Sequence, residues 1–172
     1  MKNNELLKEI PHSDDAEQAV LGSLMLENER WEKIEDIIEI DDFYREKHRI
    51  IFNAMRKLIK NNEPLDIVTI SNVLRKENSL LKIGGLTYLN TLITHTPNVN
   101  NIIVYIKIVK NKSLLRKLII ASKNIIELSL NTEDNVITDL IDKAEEEILS
   151  ISEKYNEKKT NTLTDISCAL EN

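Results

Sequence analysis

Three glycines and three prolines are all that punctuate 172 residues, and each proline (Pro11, Pro64 and Pro97) stands just upstream of an apolar run with helical spacing. Proline suits the first turn of a helix, and glycine supplies the turns between elements. So few of either leaves no means of making the many turns of a β-sandwich or the Gly-rich loops of a nucleotide-binding α/β fold. No stretch alternates apolar and polar residues for long enough to compete with the helical periods. The chain is therefore expected to be all-α. Its hydrophobic content of 41% is ample for a core at this length.

The helices can be placed in order. After Pro11, Asp14 with Glu17 reads as a capping pair, and Ala16, Val20, Leu21 and Leu24 share one stripe. A short second helix is expected over about 29–38 with Trp31, Ile34 and Ile38 inward. Asp41-Asp42 introduces Phe43 and a helix through His48, Ile51, Phe52, Met55, Leu58 and Ile59, ending at Asn61-Asn62. Asp66 is a good cap for a helix over 67–76. Gly84-Gly85 opens a fifth helix with Leu86, Leu89, Leu92 and Ile93.

Past Pro97 the pattern changes. From about 98 to 130 there is neither Gly nor Pro, so one long helix of roughly 45 Å is expected. The polar run 131–135 is a turn, and beyond it Ile137, Ile141, Ala144, Ile148, Ile151 and Tyr155 are spaced 4, 3, 4, 3 and 4. That is a heptad seam, and two long helices joined by a short turn make an antiparallel hairpin. Residues 156–164 are polar and linker-like, and Thr164-Asp165 could cap a further helix led by Ile166 and Leu170. The organisation expected is a compact helical head over 1–100, a dimerising hairpin over 101–155, and a linker with the start of a linker helix over 156–172.

Charge follows the same division. Residues 101–130 carry six basic groups against one acid, and residues 131–155 carry two against eight. A basic helix beside an acidic one selects partner and orientation more than it adds stability, because exposed pairs contribute roughly 0–1 kcal/mol each. Ile119, Ile120, Ile125, Ile126 and Leu128 spread around more than one side of the first hairpin helix. A bare hairpin cannot cover them all, so self-association in a two-fold dimer is expected. The net charge of −6 argues against this piece gripping DNA other than weakly.

The residue types that carry chemistry do not converge. Gly22, Gly84 and Gly85 are the only glycines and none precedes a lysine, so there is no P-loop to bind ATP. Gly84-Gly85 reads as a turn with close packing in preference to an anion site. His12, His48 and His95 are far apart and lack neighbours at metal-ligand spacing. His48, near Asp42 and Glu46, is read as a packing or helix-start residue rather than an acid–base group. The lone Cys168 excludes an internal disulfide and fits a reducing interior. Glu145-Glu146-Glu147 reads as a solvated face. Tyr88 is either core or a half-exposed anchor. No signal peptide or membrane-length apolar run is present, and a cytoplasmic location is expected.

Read together, several motifs are similar to the N-terminal domain of DnaB-type bacterial replicative DNA helicases. They are Ala16-Glu17-Gln18-Ala19-Val20-Leu21-Gly22, Asp42-Phe43-Tyr44 with His48 and Ile51-Phe52, Pro64 with Asp66 and Val68-Thr69, and Ile83-Gly84-Gly85 with Tyr88-Leu89. Tyr105, Ile108-Val109, Leu115-Arg116 and Leu118-Ile119 extend the match into the first hairpin helix. The resemblance implies a six-helix head, a hairpin, and a linker helix leading to a RecA-like motor. ATP and magnesium would belong to that motor, so neither a catalytic group nor a cofactor is expected in this chain.

It further implies self-pairing through the hairpins as a trimer of dimers in a hexamer, and docking of the primase C-terminal domain. A helicase loader is a further partner the resemblance allows. Carried over by position, Asp15, Tyr88, Ile119 and Ile125 would face primase. Ile120, Ile126, Ile137, Ile141, Ala144, Ile148 and Ile151 are the positions expected at the oligomer interface. A free-standing helical adaptor or loader-like protein with the same fold is the competing reading.

Overall fold

The computed structural model describes residues 9–131 and 137–152. Every regular element among them is helical: α1 (Asp14–Leu26), α2 (Glu46–Lys60), α3 (Ile67–Lys76), α4 (Gly85–Thr94), α5 (Ile102–Asn131), and α6 over 137–152. Three short 3-10 turns, Asn28–Lys33, Ile40–Asp42 and Val99–Asn101, join them. The polar run 132–136 and everything from 153 onward, including the expected linker helix and Cys168, lie outside the described residues.

Several local expectations need correcting. Ser13, not Asp14, caps α1, its hydroxyl accepting from the Ala16 N–H at 3.3 Å. The segment expected as a second helix is the 3-10 turn Asn28–Lys33 followed by irregular turns. Trp31, Ile34 and Ile38 nevertheless point into the core, so the apolar spacing was sound and only the helical length was not. Asp41 and Asp42 occupy their own 3-10 turn, and α2 starts only at Glu46. Asp66 caps α3 as expected, in a reciprocal box with Thr69 at 2.8 and 3.1 Å.

The chain folds as two compact units, one of which runs from Pro11 to Ser113. Its core holds Val20, Leu21, Leu24, Ile51, Met55, Leu58, Ile70, Leu74, Leu89 and Leu92. Phe52 packs on Trp31 and Phe43 with ring centroids 5.2 and 5.0 Å apart. The first turns of α5 belong here too, through buried Ile102, Ile106 and Val109. The head therefore reaches further along the chain than residue 100. Asn28 ties the end of α1 to the segment leading into α3, exchanging hydrogen bonds with the backbone of Leu65 at 2.7 and 3.0 Å.

Gly22 is where α1 and α4 touch. A Cβ there would lie 2.0 Å from Thr96 Oγ1 and 2.2 Å from the Leu92 carbonyl oxygen. The second of these is backbone and cannot swing aside. Gly22→Ala is expected to destabilise the head by about 2–3 kcal/mol through overpacking, despite alanine's better helix propensity. A lowered urea midpoint at unchanged slope is the expected reading.

Buried Asp42 fixes α5 to the rest of the head. Its carboxylate accepts from the Glu39 N–H at 2.9 Å, from Lys110 Nζ at 2.8 Å and from Ser113 Oγ at 2.8 Å.

The second unit holds α5 from Leu114 onward and α6. Asn124, well before the end of α5, donates to the Glu147 carboxylate, well after the start of α6, at 3.2 Å, as an antiparallel hairpin requires. Leu114, Ala121, Ile125 and Leu128 on α5 and Leu140, Ala144 and Ile151 on α6 are the covered apolar positions. Ile125 is thus half-buried, not the exposed aliphatic its position first implied. The acids Asp139, Asp142, Glu145 and Glu146 are exposed.

Candidate partner-docking surface

The most organised polar feature of the head joins three helices. Glu17 sits in the apolar stripe of α1 and is 1% exposed; His48, on the first turn of α2, is fully buried. Glu17 meets the N-terminal end of α2. Its oxygens accept from the Tyr44 N–H at 2.7 Å, the Arg45 N–H at 3.3 Å and His48 Nδ1 at 2.6 Å. α2 has no cap from its own side chain at Arg45, so α1 supplies the carboxylate that its N-terminus favours. The other ring nitrogen, His48 Nε2, lies 2.6 Å from Tyr88 Oη on α4.

Around this chain the charges are paired. Arg45 grips Asp14 through two bonds of 2.7 Å, and the contact holds the Asp14 carboxyl below its ordinary range. His12 stacks on Tyr44 at 4.3 Å. Lys47 places its ammonium 3.8 Å from the centre of the Tyr88 ring. Burial, then the negative charges of Asp14 and Glu17, push the Tyr88 hydroxyl up to about 12. Gly84, at φ 100° in the left-handed region, makes the turn into α4. Leu86 points outward at 40% exposed, leaving Leu89 and Leu92 as the buried pair.

The positions expected to face primase fall in both units. Asp15 is exposed on the first turn of α1, and Tyr88 is half-exposed on α4, which packs against α1. Ile119 is 52% exposed on α5, and Ile125 is half-buried. Of the positions expected to pair copies, Ile120, Ile126, Ile137, Ile141 and Ile148 are exposed, while Ala144 and Ile151 are half-buried. Leu115, Leu118 and Leu130 on α5 and Leu149 on α6 add to the exposed apolar surface.

Sequence reasoning missed the roles of Glu17, Lys47 and the Asp42–Lys110 pair. Among the described residues no cluster of His, Cys, Asp or Glu is suited to a metal ion, and no helix is long and apolar enough to cross a membrane. The organised polar groups cap helices and set Glu17, His48 and Tyr88 in one hydrogen-bonded row.

Comparison with known proteins gives the same picture. Over 144 residues the chain is 42% identical to the replicative DNA helicase DnaB of Haemophilus influenzae, an alignment covering 84% of this chain and 31% of that protein. The chain thus spans about a third of the length of such relatives. The crystal structure of the N-terminal domain of DnaB helicase from Mycobacterium tuberculosis superposes with a TM-score of 0.76 at 32% identity. That alignment covers 83% of this chain and 99% of that one. A DnaB-like replicative helicase, whose structure was described together with its interactions with primase, matches 81% of this chain and 31% of its own, with a TM-score of 0.66 at 27% identity. Residues 9–111 match the family model of the DnaB-like helicase N terminal domain. With that match laid over the observed head, the chain belongs to the DnaB-like helicase N-terminal domain family.

Proposed function

We propose that this chain is the N-terminal assembly and primase-docking domain of a hexameric replicative DNA helicase. Its working surfaces are the hairpin, which pairs copies of the chain, and primase-docking positions in each unit: Asp15 and Tyr88 on the head, Ile119 and Ile125 on the hairpin. The unwinding activity, with its ATP and magnesium, would reside in a motor region that these 172 residues do not include. Family membership and the likeness to a helicase described with primase support this reading.

The observation that carries it is the apolar surface left uncovered in the second unit. Ile126 and Leu130 on α5 are 59% and 80% exposed, and Ile137, Ile141 and Ile148 on α6 are between 51% and 54% exposed. Neighbours within each set are 4 or 7 residues apart, so each forms one stripe along its helix. Two aligned stripes of this kind are an interface awaiting a self-complementary partner, and hairpin against hairpin satisfies both at once.

Sedimentation equilibrium tests it. At about 50 µM the chain is expected as dimers or larger species, and Ile126→Asp with Ile141→Asp is expected to give monomers of unchanged helicity. A strictly monomeric wild-type chain at that concentration overturns the pairing.

A further inference from the structure

We propose that Glu17 and His48 are positioning residues for Tyr88. They hold its hydroxyl inward as a donor, so that the outward recognition element is the ring together with the Lys47 ammonium, and the partner group this fits is a carboxylate beside an apolar side chain. The inference rests on Tyr88 being a docking position, as proposed above.

The direction of the hydrogen bonds follows from what each group can do. An ionised Glu17 only accepts, so Nδ1 of His48, 2.6 Å away, carries a hydrogen. In a neutral imidazole the other nitrogen is then an acceptor, and at 2.6 Å from Tyr88 Oη it accepts a hydrogen bond from the phenol O–H. The tyrosine keeps that proton at neutral pH, since burial and neighbouring carboxylates hold the hydroxyl as the neutral acid.

With the hydroxyl committed, recognition falls to the half-exposed ring and to Lys47, 3.8 Å from its centre. Lys47 and Lys82 line an open notch of about 480 Å³ with Arg45, Glu46 and Ile50. Arg45 is already spent on Asp14. Lys47 and Lys82 outnumber the single acid Glu46 around Ile50, and Lys47 links the notch to the Tyr88 ring, so the spot is basic and partly apolar on a chain whose net charge is −6. Its complement is an acidic side chain with an apolar neighbour.

Two measurements on the full chain test this. The first is the pair of imidazole ¹⁵N shifts of His48 at about pH 7.5, where the neutral Nδ1–H tautomer is expected. Glu17→Gln, whose amide can donate to Nδ1, is expected to move the hydrogen to Nε2; a merely structural role for Glu17 predicts no such inversion. An Nε2–H or doubly protonated ring in the wild type overturns the positioning.

The second is titration with a primase C-terminal domain. Tyr88→Phe keeps ring and lysine but releases the ring from His48, and is expected to weaken binding several-fold, less than Tyr88→Ala. Lys47→Glu should weaken binding about tenfold or more, and Lys47→Arg should restore it. Equal binding by Lys47→Glu, or a loss with Tyr88→Phe as large as with Tyr88→Ala, overturns the recognition element. If the wild-type chain does not bind primase at all, the docking reading falls and the role of Lys47 with it. The tautomer still decides whether Glu17 and His48 position Tyr88.

Discussion

Glu17→Ala is expected to cost the head about 3–5 kcal/mol, a large share of the 5–15 kcal/mol that a domain of this size possesses. The carboxylate is 1% exposed and accepts from two backbone N–H groups and one imidazole. Its removal leaves all three donors without their acceptor, the fully buried imidazole among them, and a buried unsatisfied group costs about 1–3 kcal/mol. The damage should spread beyond α1, because those donors form the start of α2. A urea titration checks this: the midpoint should fall steeply, with Glu17→Gln intermediate because the amide oxygen can still accept from the backbone. A midpoint within error of wild type for Glu17→Ala would mean that the bonds from α1 do not hold α2 in place.

Asp42→Ala is expected to be comparably damaging, about 3–5 kcal/mol, because it leaves the Lys110 ammonium without its counter-charge in a mostly buried position. Here pH offers an independent check. Burial alone would raise the Asp42 carboxyl, but the hydrogen bond and charge of Lys110, helped by the Glu39 N–H and Ser113, outweigh it and leave the group below 3.8. A carboxyl whose folded pKa lies below its unfolded value stabilises the fold above that unfolded value. The contribution is lost as pH falls through the folded pKa.

The gap in unfolding free energy between wild type and Asp42→Asn should therefore be full at neutral pH and shrink only below about pH 4. Replacing both partners, Asp42→Leu with Lys110→Met, should recover much of the loss of the single alanine variant, since an apolar pair needs no counter-charge.

What could be read from the chain beforehand was whatever periodicity encodes. The stripes of α1, α2 and α3, the cap at Asp66 and the inward direction of Trp31, Ile34 and Ile38 all follow from apolar spacing or a short-range hydrogen bond. What escaped depends on distant partners. Glu17 occupies the same stripe as Val20, Leu21 and Leu24, and His48 the same stripe as Ile51, Phe52 and Met55. A charged group in an apolar stripe signals a buried pair, and that signal was available. The identity of its mate, thirty-one residues away, was not. Reading Glu17 as a local cap failed because Ser13 was already the better one.

The segment 29–38 failed differently. Its apolar residues sit at helical intervals, yet the connection between α1 and α2 takes the shape that buries Trp31 against Phe52, and tertiary packing sets the backbone there. In the hairpin, the heptad of α6 was legible, but which of its faces stays uncovered was not. Ala144 and Ile151 are half-buried, whereas Ile137, Ile141 and Ile148 are exposed. This separation matters for function, because the exposed set is what a second copy would meet.

The role proposed for this chain is docking and assembly. Isothermal titration of a primase C-terminal domain into the chain tests the docking half most directly. The account predicts saturable binding by the wild type, weakened about tenfold or more by Tyr88→Ala and by Ile119→Asp while both variants stay folded. No binding by the wild type, or unchanged binding by both variants, would contradict it.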